Sequence, residues 1–363
     1  MDLKNLVNKG IVGLNPYKPG KPVEDLEREL GIKNAIKLAS NENPMGPSPL
    51  AIEAVRKVLN STHRYPDGNA LRLKEKISQK FKVNLNCLTV GNGSNDIIEF
   101  ITRTFLSVAD SAVFSEHAFA VYPLAVQAVG AECIEVPAKE FGHDLEGMKN
   151  SIKDNTKLIF IANPNNPTGT FLNPEEIDTF LKEIDKNIIV LLDQAYFDYS
   201  SYKNEDVNFN LISNHPNLII SRSFSKAYGL AGFRIGYSVS SEEIADYLNR
   251  VRQPFNANSL ALMAAEVALY DEEHLLKSME MNFVQKAILI EGLEELGYEC
   301  IPTEGNFISF SCKQGGESLF EALLREGIIL RTLDVYGMPN HIRTTVGLPE
   351  ENSILLDKLS RLP

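Results

Sequence analysis

Ser221-Arg222-Ser223-Phe224-Ser225-Lys226-Ala227-Tyr228-Gly229-Leu230-Ala231-Gly232-Phe233-Arg234-Ile235-Gly236 follows directly on the apolar run Leu218-Ile219-Ile220. The run has the length of a buried strand. What comes after it crowds serine hydroxyls, a lysine, glycines and an arginine between Ser223 and Gly236. Hydroxyls, backbone N–H groups bared by glycine, and a guanidinium fork make an anion site that suits phosphate. Inside such a site neighbouring cations and desolvation lower the pKa of a lysine and favour the neutral, nucleophilic amine. A phosphate-bearing aldehyde is a ligand that uses both features. A lysine taken alone sits in water far more often than in a site, so the reading rests on the rest of the chain.

Between residues 85 and 240 short apolar runs alternate with helical patterns. The runs are Cys87–Val90, Ala112–Phe114, Leu158–Ala162, Ile188–Leu192 and Leu218–Ile220; the helices include Ile97–Phe105 and Glu175–Ile184. Asn173-Pro174-Glu175-Glu176 is a helix start, with a capping amide, proline at the first position and acids at the positive end of the dipole. This alternation predicts an α/β fold, a mainly parallel sheet sandwiched by helices, with ligands at the carboxyl ends of its strands. Earlier, a helix begins near Ser48 with Ile52, Val55 and Leu59 on one face. A second carries Leu73, Ile77 and Phe81. After Pro254 a long helical region from Leu260 to Leu296 gives way to the runs Asn306–Phe310 and Ile328–Leu330, and a final helix starts near Pro349. The expected organisation is an N-terminal arm (1–46) that joins the small lobe, a large α/β domain (47–255) and a small α+β domain (256–363).

Other stretches carry chemistry, each with a plainer alternative. Gly91-Asn92-Gly93-Ser94-Asn95-Asp96 lies between a strand and a helix, where backbone N–H groups can take a phosphate. It is also compatible with a tight turn, or with a dinucleotide site that lacks its third glycine. Asn163-Pro164-Asn165-Asn166-Pro167-Thr168-Gly169 is either a turn-rich loop or a rigid mount for an amide that meets a ligand phenolate. Asp193, at the end of a fully apolar strand, either caps the next turn or pairs with a protonated ring nitrogen. Tyr196 is placed to reach a ring hydroxyl. Phe119 is a core residue or stacks on an aromatic ligand. Arg331 and Arg343 flank apolar runs in the last lobe and suit an anionic substrate.

Composition narrows the classes. The 363 residues carry 44% apolar and 23% charged side chains, as in globular proteins, and a net charge of −12. That charge opposes non-specific binding to nucleic acid or an anionic membrane. The chain shows neither a signal-peptide core near its start nor an apolar run of membrane-spanning length. The four cysteines have no C-x-x-C spacing, so they read as thiols in a reducing compartment. The six histidines show no metal-ligand spacing. The expectation is a cytoplasmic protein without a metal.

Together Asn-x-x-Asn-Pro-Thr-Gly, Asp-x-Ala-Tyr and Ser-x-Ser-Lys-x7-Arg, in this order and spacing, resemble the fold type I aminotransferases that use pyridoxal 5′-phosphate. Pro16-Tyr17, Lys37–Pro44, Arg64-Tyr65-Pro66-Asp67, Val251–Asn256 and Glu304-Gly305-Asn306-Phe307 resemble the histidinol-phosphate aminotransferases within them. The likeness runs from about Tyr17 to Leu356. It implies that Lys226 condenses with the cofactor aldehyde and that Asp193 pairs with the pyridine nitrogen. Tyr196 and Asn166 would bond the ring oxygen, and Phe119 would stack where the family often has Tyr. Ser223, Ser225, Arg234 and the backbone at Ser94 and Asn95 would hold the phosphate, joined by Tyr65 from a partner subunit of a homodimer. Tyr17, Asn43, Arg331 and Arg343 would hold the acidic end of the amine and keto-acid substrates. The implied reaction interconverts L-histidinol phosphate and 2-oxoglutarate with imidazole-acetol phosphate and glutamate. The alternatives are an aromatic amino-acid aminotransferase on the same scaffold and, more remotely, a decarboxylase of phosphorylated threonine. A catalytically silent cofactor-binding protein and a nicotinamide-dependent dehydrogenase complete the set.

Overall fold

Alternate residues of single strands feed two different apolar cores, which is what a sheet buried on both faces requires. Val113, Ile159, Ile161, Val190, Leu192, Leu218 and Ile220 enter one core. Ala112, Phe114, Leu158, Phe160, Leu191 and Ile219 enter the other. In this computed structural model, which describes residues 3–17, 19–202 and 205–362, the strands in chain order are β1 (Ile36–Lys37), β2 (Leu88–Gly91), β3 (Ser111–Ser115), β4 (Glu132–Val136), β5 (Thr156–Ala162), β6 (Ile189–Asp193), β7 (Leu218–Ser223), β8 (Gly236–Val239), β9 (Phe307–Ser311), β10 (Ile328–Ile329), β11 (Arg331–Thr332) and β12 (His341–Thr345). Met1, Asp2 and Lys18 of the expected arm, and Pro363 at the far end, lie outside the described residues.

Seven strands form the main sheet in the order β2-β8-β7-β6-β5-β3-β4. Only β8 runs against the others. The helices Pro49–Val58, Leu71–Phe81, Pro174–Glu183 and Ser259–Ala268 cover one face; Ser94–Phe105, Val121–Ala128 and Glu242–Val251 cover the other. The carboxyl ends of β3, β5, β6 and β7 therefore share one edge. The expected layered α/β architecture is the one observed.

Local signals explain the helix starts. Asn173 accepts from the backbone of Glu175 and Glu176 while Glu176 accepts from the Asn173 N–H at 2.9 Å, a complete capping box with Pro174 behind it. Ser48 caps the helix Pro49–Val58, but Leu59 does not join its buried face: the chain tightens into a 3-10 turn there and leaves Leu59 exposed. The long helical region breaks at Asp271, which caps Glu272–Glu295 by accepting from His274 N. Two strands absent from the expected set, β4 at one edge and reversed β8 between β2 and β7, complete the sheet.

The second lobe is the antiparallel sheet β11-β12-β9 with its own core of Leu289, Leu293, Ile308, Phe310, Leu319 and Ile342. The arm reaches it: β1 pairs in parallel with β10, and Thr345 N donates to the Leu38 carbonyl at 2.7 Å. The expected boundary at residue 255 needs correction. Ala257, Ala261, Ala264, Ala265 and Leu275 pack in the large core, so the chain changes lobe only along the helix Glu272–Glu295, which delivers Leu289 and Leu293 to the other core.

Gly229 ties the two regions together. Its φ of +68° suits glycine, and an added Cβ would lie 2.2 Å from the Gly46 carbonyl oxygen of the arm. Gly229→Ala is expected to cost roughly 2–3 kcal/mol through strain and clash. A urea melt reads this directly as a lower midpoint; an unchanged midpoint contradicts the assignment.

Candidate active site

Thirteen of the residues singled out in the sequence meet in one cavity of about 390 Å³ at the shared strand edge. They are Tyr17, Ser94, Asn95, Phe119, Asn166, Asp193, Tyr196, Ser223, Ser225, Lys226, Arg234, Arg331 and Arg343. That volume suits a small cofactor with its substrate.

Lys226 stands three residues beyond the end of β7, half-buried, with Nζ donating to the Ser40 carbonyl at 3.1 Å and lying 5.2 Å from the centre of the Tyr196 ring. Burial is the main cause that lowers its pKa to about 8, with Arg343 next and Arg234 helping, against Glu42 and Tyr17. Near neutral pH the neutral, nucleophilic amine is thus far more populated than in an ordinary solvated lysine.

One end of the cavity is built for an anion. The helix Ser94–Phe105 points its N-terminus at it, and the hydroxyl-bearing Ser223 and Ser225 close the other side, linked by Ser225 N to Ser223 Oγ at 3.1 Å. Arg234 follows in the left-handed region, and its Nη1 donates to the Ala231 carbonyl at 3.1 Å. Gly93 makes room for it: with φ at +83°, a Cβ there would sit 2.5 Å from Arg234 Nη2. Gly93 thus lets the guanidinium lie against the start of this helix, while Gly91 leaves room for Asp96 and the Gly93 carbonyl.

At the other end stands Asp193, 5% exposed. Tyr122 Oη donates to Oδ2 at 2.9 Å, Ser221 Oγ to Oδ1 at 3.0 Å, and Ala195 N to Oδ1 at 3.2 Å. Desolvation raises its pKa, opposed by these donors and by Lys226. A buried carboxylate between these limits is matched to a cationic ring nitrogen. Phe119, edge-on to Tyr122 at 5.8 Å, supplies an aromatic wall. Tyr196 Oη accepts from Asn41 Nδ2 at 3.0 Å, and burial raises its pKa.

The two late arginines face each other across β11 and β12, in register as Arg331 opposite Arg343. Arg343, 5% exposed, donates Nη2 to the Ala39 carbonyl at 2.8 Å and Nη1 to Asn166 Oδ1. Its Nε is buried with no partner among the described residues. An orphaned donor in a cleft wall fits an incoming anion. Arg331 lies 5.5 Å from the centre of the Tyr17 ring.

Two expected residues stand elsewhere. Asn43 does not line the cavity: its amide is engaged by the Ala227 carbonyl at 2.9 Å and Ser278 Oγ at 2.7 Å, so it braces the lysine loop from behind. Asn41 and Ser40 from the same turn face the cleft instead. Tyr65 is 82% exposed and stacks on Phe255 at 4.7 Å, outside the cavity of its own chain. Sequence reasoning also passed over Tyr122, Ser221 and Tyr336. Ser221 had a signal, since it sits two residues before Ser223 on one strand and in register with Asp193. Tyr122 lies three residues after Phe119, a helical spacing.

The residues therefore fit a ligand with an anion at one end, a protonated ring nitrogen at the other and a carbonyl within reach of Lys226. The family model described as aminotransferase class I and II matches residues 33–359. The chain is 51% identical to a histidinol-phosphate aminotransferase 2 of Pseudomonas fluorescens, over 98% of this chain and 97% of that protein. It is 49% identical to a protein of the same name from Haemophilus influenzae, over 100% and 99%. The crystal structure of histidinol-phosphate aminotransferase from Sinorhizobium meliloti in complex with pyridoxal-5′-phosphate superposes with a TM-score of 0.89 at 25% identity, over 96% of this chain and 98% of that one. Aspartate aminotransferase from Thermus thermophilus with maleate, at 18% identity and a TM-score of 0.83 over 98% and 99%, shares the fold. By these matches and this geometry, the chain belongs to the class I and II aminotransferases and, within them, to the histidinol-phosphate aminotransferases.

Proposed function

We propose that the protein transfers an amino group from L-histidinol phosphate to 2-oxoglutarate, giving imidazole-acetol phosphate and L-glutamate, as a step of histidine biosynthesis. The observation that carries this reading is the lysine with its pKa lowered to about 8 between an anion pocket and a buried carboxylate. The end-to-end likeness to relatives bearing the histidinol-phosphate name supports the substrate. None of these relatives favours the aromatic amino-acid alternative.

Pyridoxal 5′-phosphate, when bound, supplies an aldehyde that takes up the amino group and a ring that withdraws electrons from the substrate carbon. The chain does the rest. Ser223, Ser225, Arg234 and the helix start at Ser94 hold its phosphate, while Asp193 holds its ring nitrogen positive. Tyr196 and Asn166 hold its ring oxygen. Lys226 Nζ takes the proton from the amine-bearing carbon of the substrate and later returns a proton on the way to glutamate. Arg343, Arg331 and Tyr17 bind the phosphate of one substrate and the carboxylates of the other, since a guanidinium fork accepts both. Phe119 and Tyr196 line the cavity with aromatic surface, which limits water around the reacting atoms.

The same reading makes the enzyme a homodimer with shared sites, acting in the cytoplasm. Tyr65, exposed and outside the cavity of its own chain, supports a role in the neighbour's site. The free cysteines suit a reducing compartment, and among the described residues no helix is long and apolar enough to cross a membrane.

Lys226→Ala is expected to abolish turnover of L-histidinol phosphate and the visible absorbance of the lysine-bound cofactor; normal turnover defeats the assignment. The rate at which protein stripped of cofactor captures the aldehyde should rise with pH through about 8, as the Lys226 amine loses its proton. In Arg343→Gln that midpoint should move up, because Arg343 is one of the groups lowering the lysine pKa. The same variant should raise KM for both acidic substrates at least about 10-fold through loss of charged hydrogen bonds. Stopped-flow capture and steady-state kinetics read the two effects. Shared sites are tested by mixing subunits of Lys226→Ala with subunits of Tyr65→Ala. Recovery of activity above that of Tyr65→Ala alone is expected, since one hybrid site then has both wild-type residues; no recovery contradicts sharing.

A further inference from the structure

Tyr122 is wholly buried, yet its hydroxyl ends on the carboxylate of Asp193. Its ring stacks on Phe160 at 4.6 Å and receives the edge of Phe119 at 5.8 Å. The ring is thus clamped between a strand residue of the core and an aromatic of the cleft wall. Its phenol has one fixed direction, and that direction is Asp193 Oδ2 at 2.9 Å. On the opposite side Ser221 Oγ and Ala195 N both donate to Oδ1, at 3.0 and 3.2 Å.

An ionised carboxylate offers about four acceptor positions. Three are taken by these donors, and two of the three are hydroxyls anchored on separate elements: the helix Val121–Ala128 and strand β7. The remaining position, on Oδ2, belongs to a residue that lines the cleft. We propose that Tyr122 is the positioning residue that keeps Asp193 ionised and aimed at the ring nitrogen of the cofactor, with Ser221 as its counterpart on the other oxygen. The inference deepens the aminotransferase reading and rests on it.

The physical need is plain. A carboxyl buried in an apolar wall tends to take up a proton, and a neutral acid does not hold a ring nitrogen positive. Hydrogen bonds donated to the charged form reverse that tendency. The other groups that face Asp193 are the Tyr196 phenol and the Lys226 amine; both ring nitrogens of the nearby His143 are engaged elsewhere, by Ser115 Oγ at 2.7 Å and the Ala162 carbonyl at 2.8 Å. Burial, together with Asp193 itself, holds the Tyr122 phenol well above the usual tyrosine range, so it stays protonated and donates. Because Phe119 leans on the same ring, Tyr122 braces both the aromatic wall and the nitrogen partner.

The test is a pH titration of the absorbance of the bound cofactor in the holoenzyme, with cofactor affinity measured alongside, for wild type, Tyr122→Phe, Ser221→Ala and the double variant. Phenylalanine keeps the stacked ring and removes only the hydroxyl. A less ionised Asp193 lets the ring nitrogen lose its proton, the ring then withdraws fewer electrons, and the nitrogen joined to Lys226 becomes more basic. The absorbance midpoint of Tyr122→Phe should therefore move up by about one pH unit, a factor of ~10. Its cofactor dissociation constant should rise about 10-fold. Ser221→Ala should shift the same way, and the double variant further. Phe160→Leu loosens the same stack without touching the carboxylate: it should lower the melting temperature and leave the midpoint in place. A Tyr122→Phe enzyme with wild-type midpoint and affinity overturns the inference, as does a Phe160→Leu shift of equal size, which marks a packing effect. A wild-type protein that takes up no cofactor removes the aminotransferase reading and this inference with it.

Discussion

A negative charge buried at the end of β6 is the constraint on which the rest of the structure turns. Taking a carboxylate out of water is costly unless donors replace the lost hydration. Asp193 meets this with Tyr122, Ser221 and Ala195 N, drawn from a helix, the neighbouring strand and its own turn. The Ser221 donor is in place because β6 and β7 run parallel with Asp193 in register with Ser221. The parallel sheet is in this sense a device for carrying a charge to an edge where a ligand can complete it.

The lysine loop answers the same logic with the opposite sign. Lys226 loses part of its affinity for a proton because the cleft walls desolvate its amine and two arginines share the cleft. One, Arg343, comes from the C-terminal lobe; the other, Arg234, comes from the large one. The cleft is therefore assembled between lobes, and the arm secures it. Ser40 accepts from Lys226, Asn43 braces Ala227, and Gly46 presses against Gly229. The arm, expected from the sequence to join the small lobe, is also part of the mount for the lysine.

Much of this was legible in the residues, for identifiable reasons. Leu158–Ala162, Ile188–Leu192 and Leu218–Ile220 are apolar without interruption because both faces of these strands are buried, and that pattern is local. Motifs such as Asp193–Tyr196 and Ser223–Arg234 are contiguous, so their chemistry shows without any fold. Asn43 was misplaced because neighbouring asparagines of one tight turn, two residues apart, point in different directions: Asn41, with φ of +54°, turns its side chain to Tyr196 while Asn43 turns away. Tyr122 was missed because its partner is 71 residues distant, and no local pattern marks such a pair. The lobe boundary slipped for a related reason, since a helix gives no sign in its own sequence of which of two apolar cores receives it.

The central claim is that one buried acid and one softened lysine grip opposite features of a single heterocycle. A crystal structure of the enzyme grown with pyridoxal 5′-phosphate tests it most directly. The account predicts the ring nitrogen at about 2.7–3.0 Å from an Asp193 oxygen, continuous density from Lys226 Nζ to the cofactor, and the phosphate among Ser223, Ser225 and Arg234. A ring nitrogen directed into solvent, or a cofactor seated away from Lys226, contradicts it.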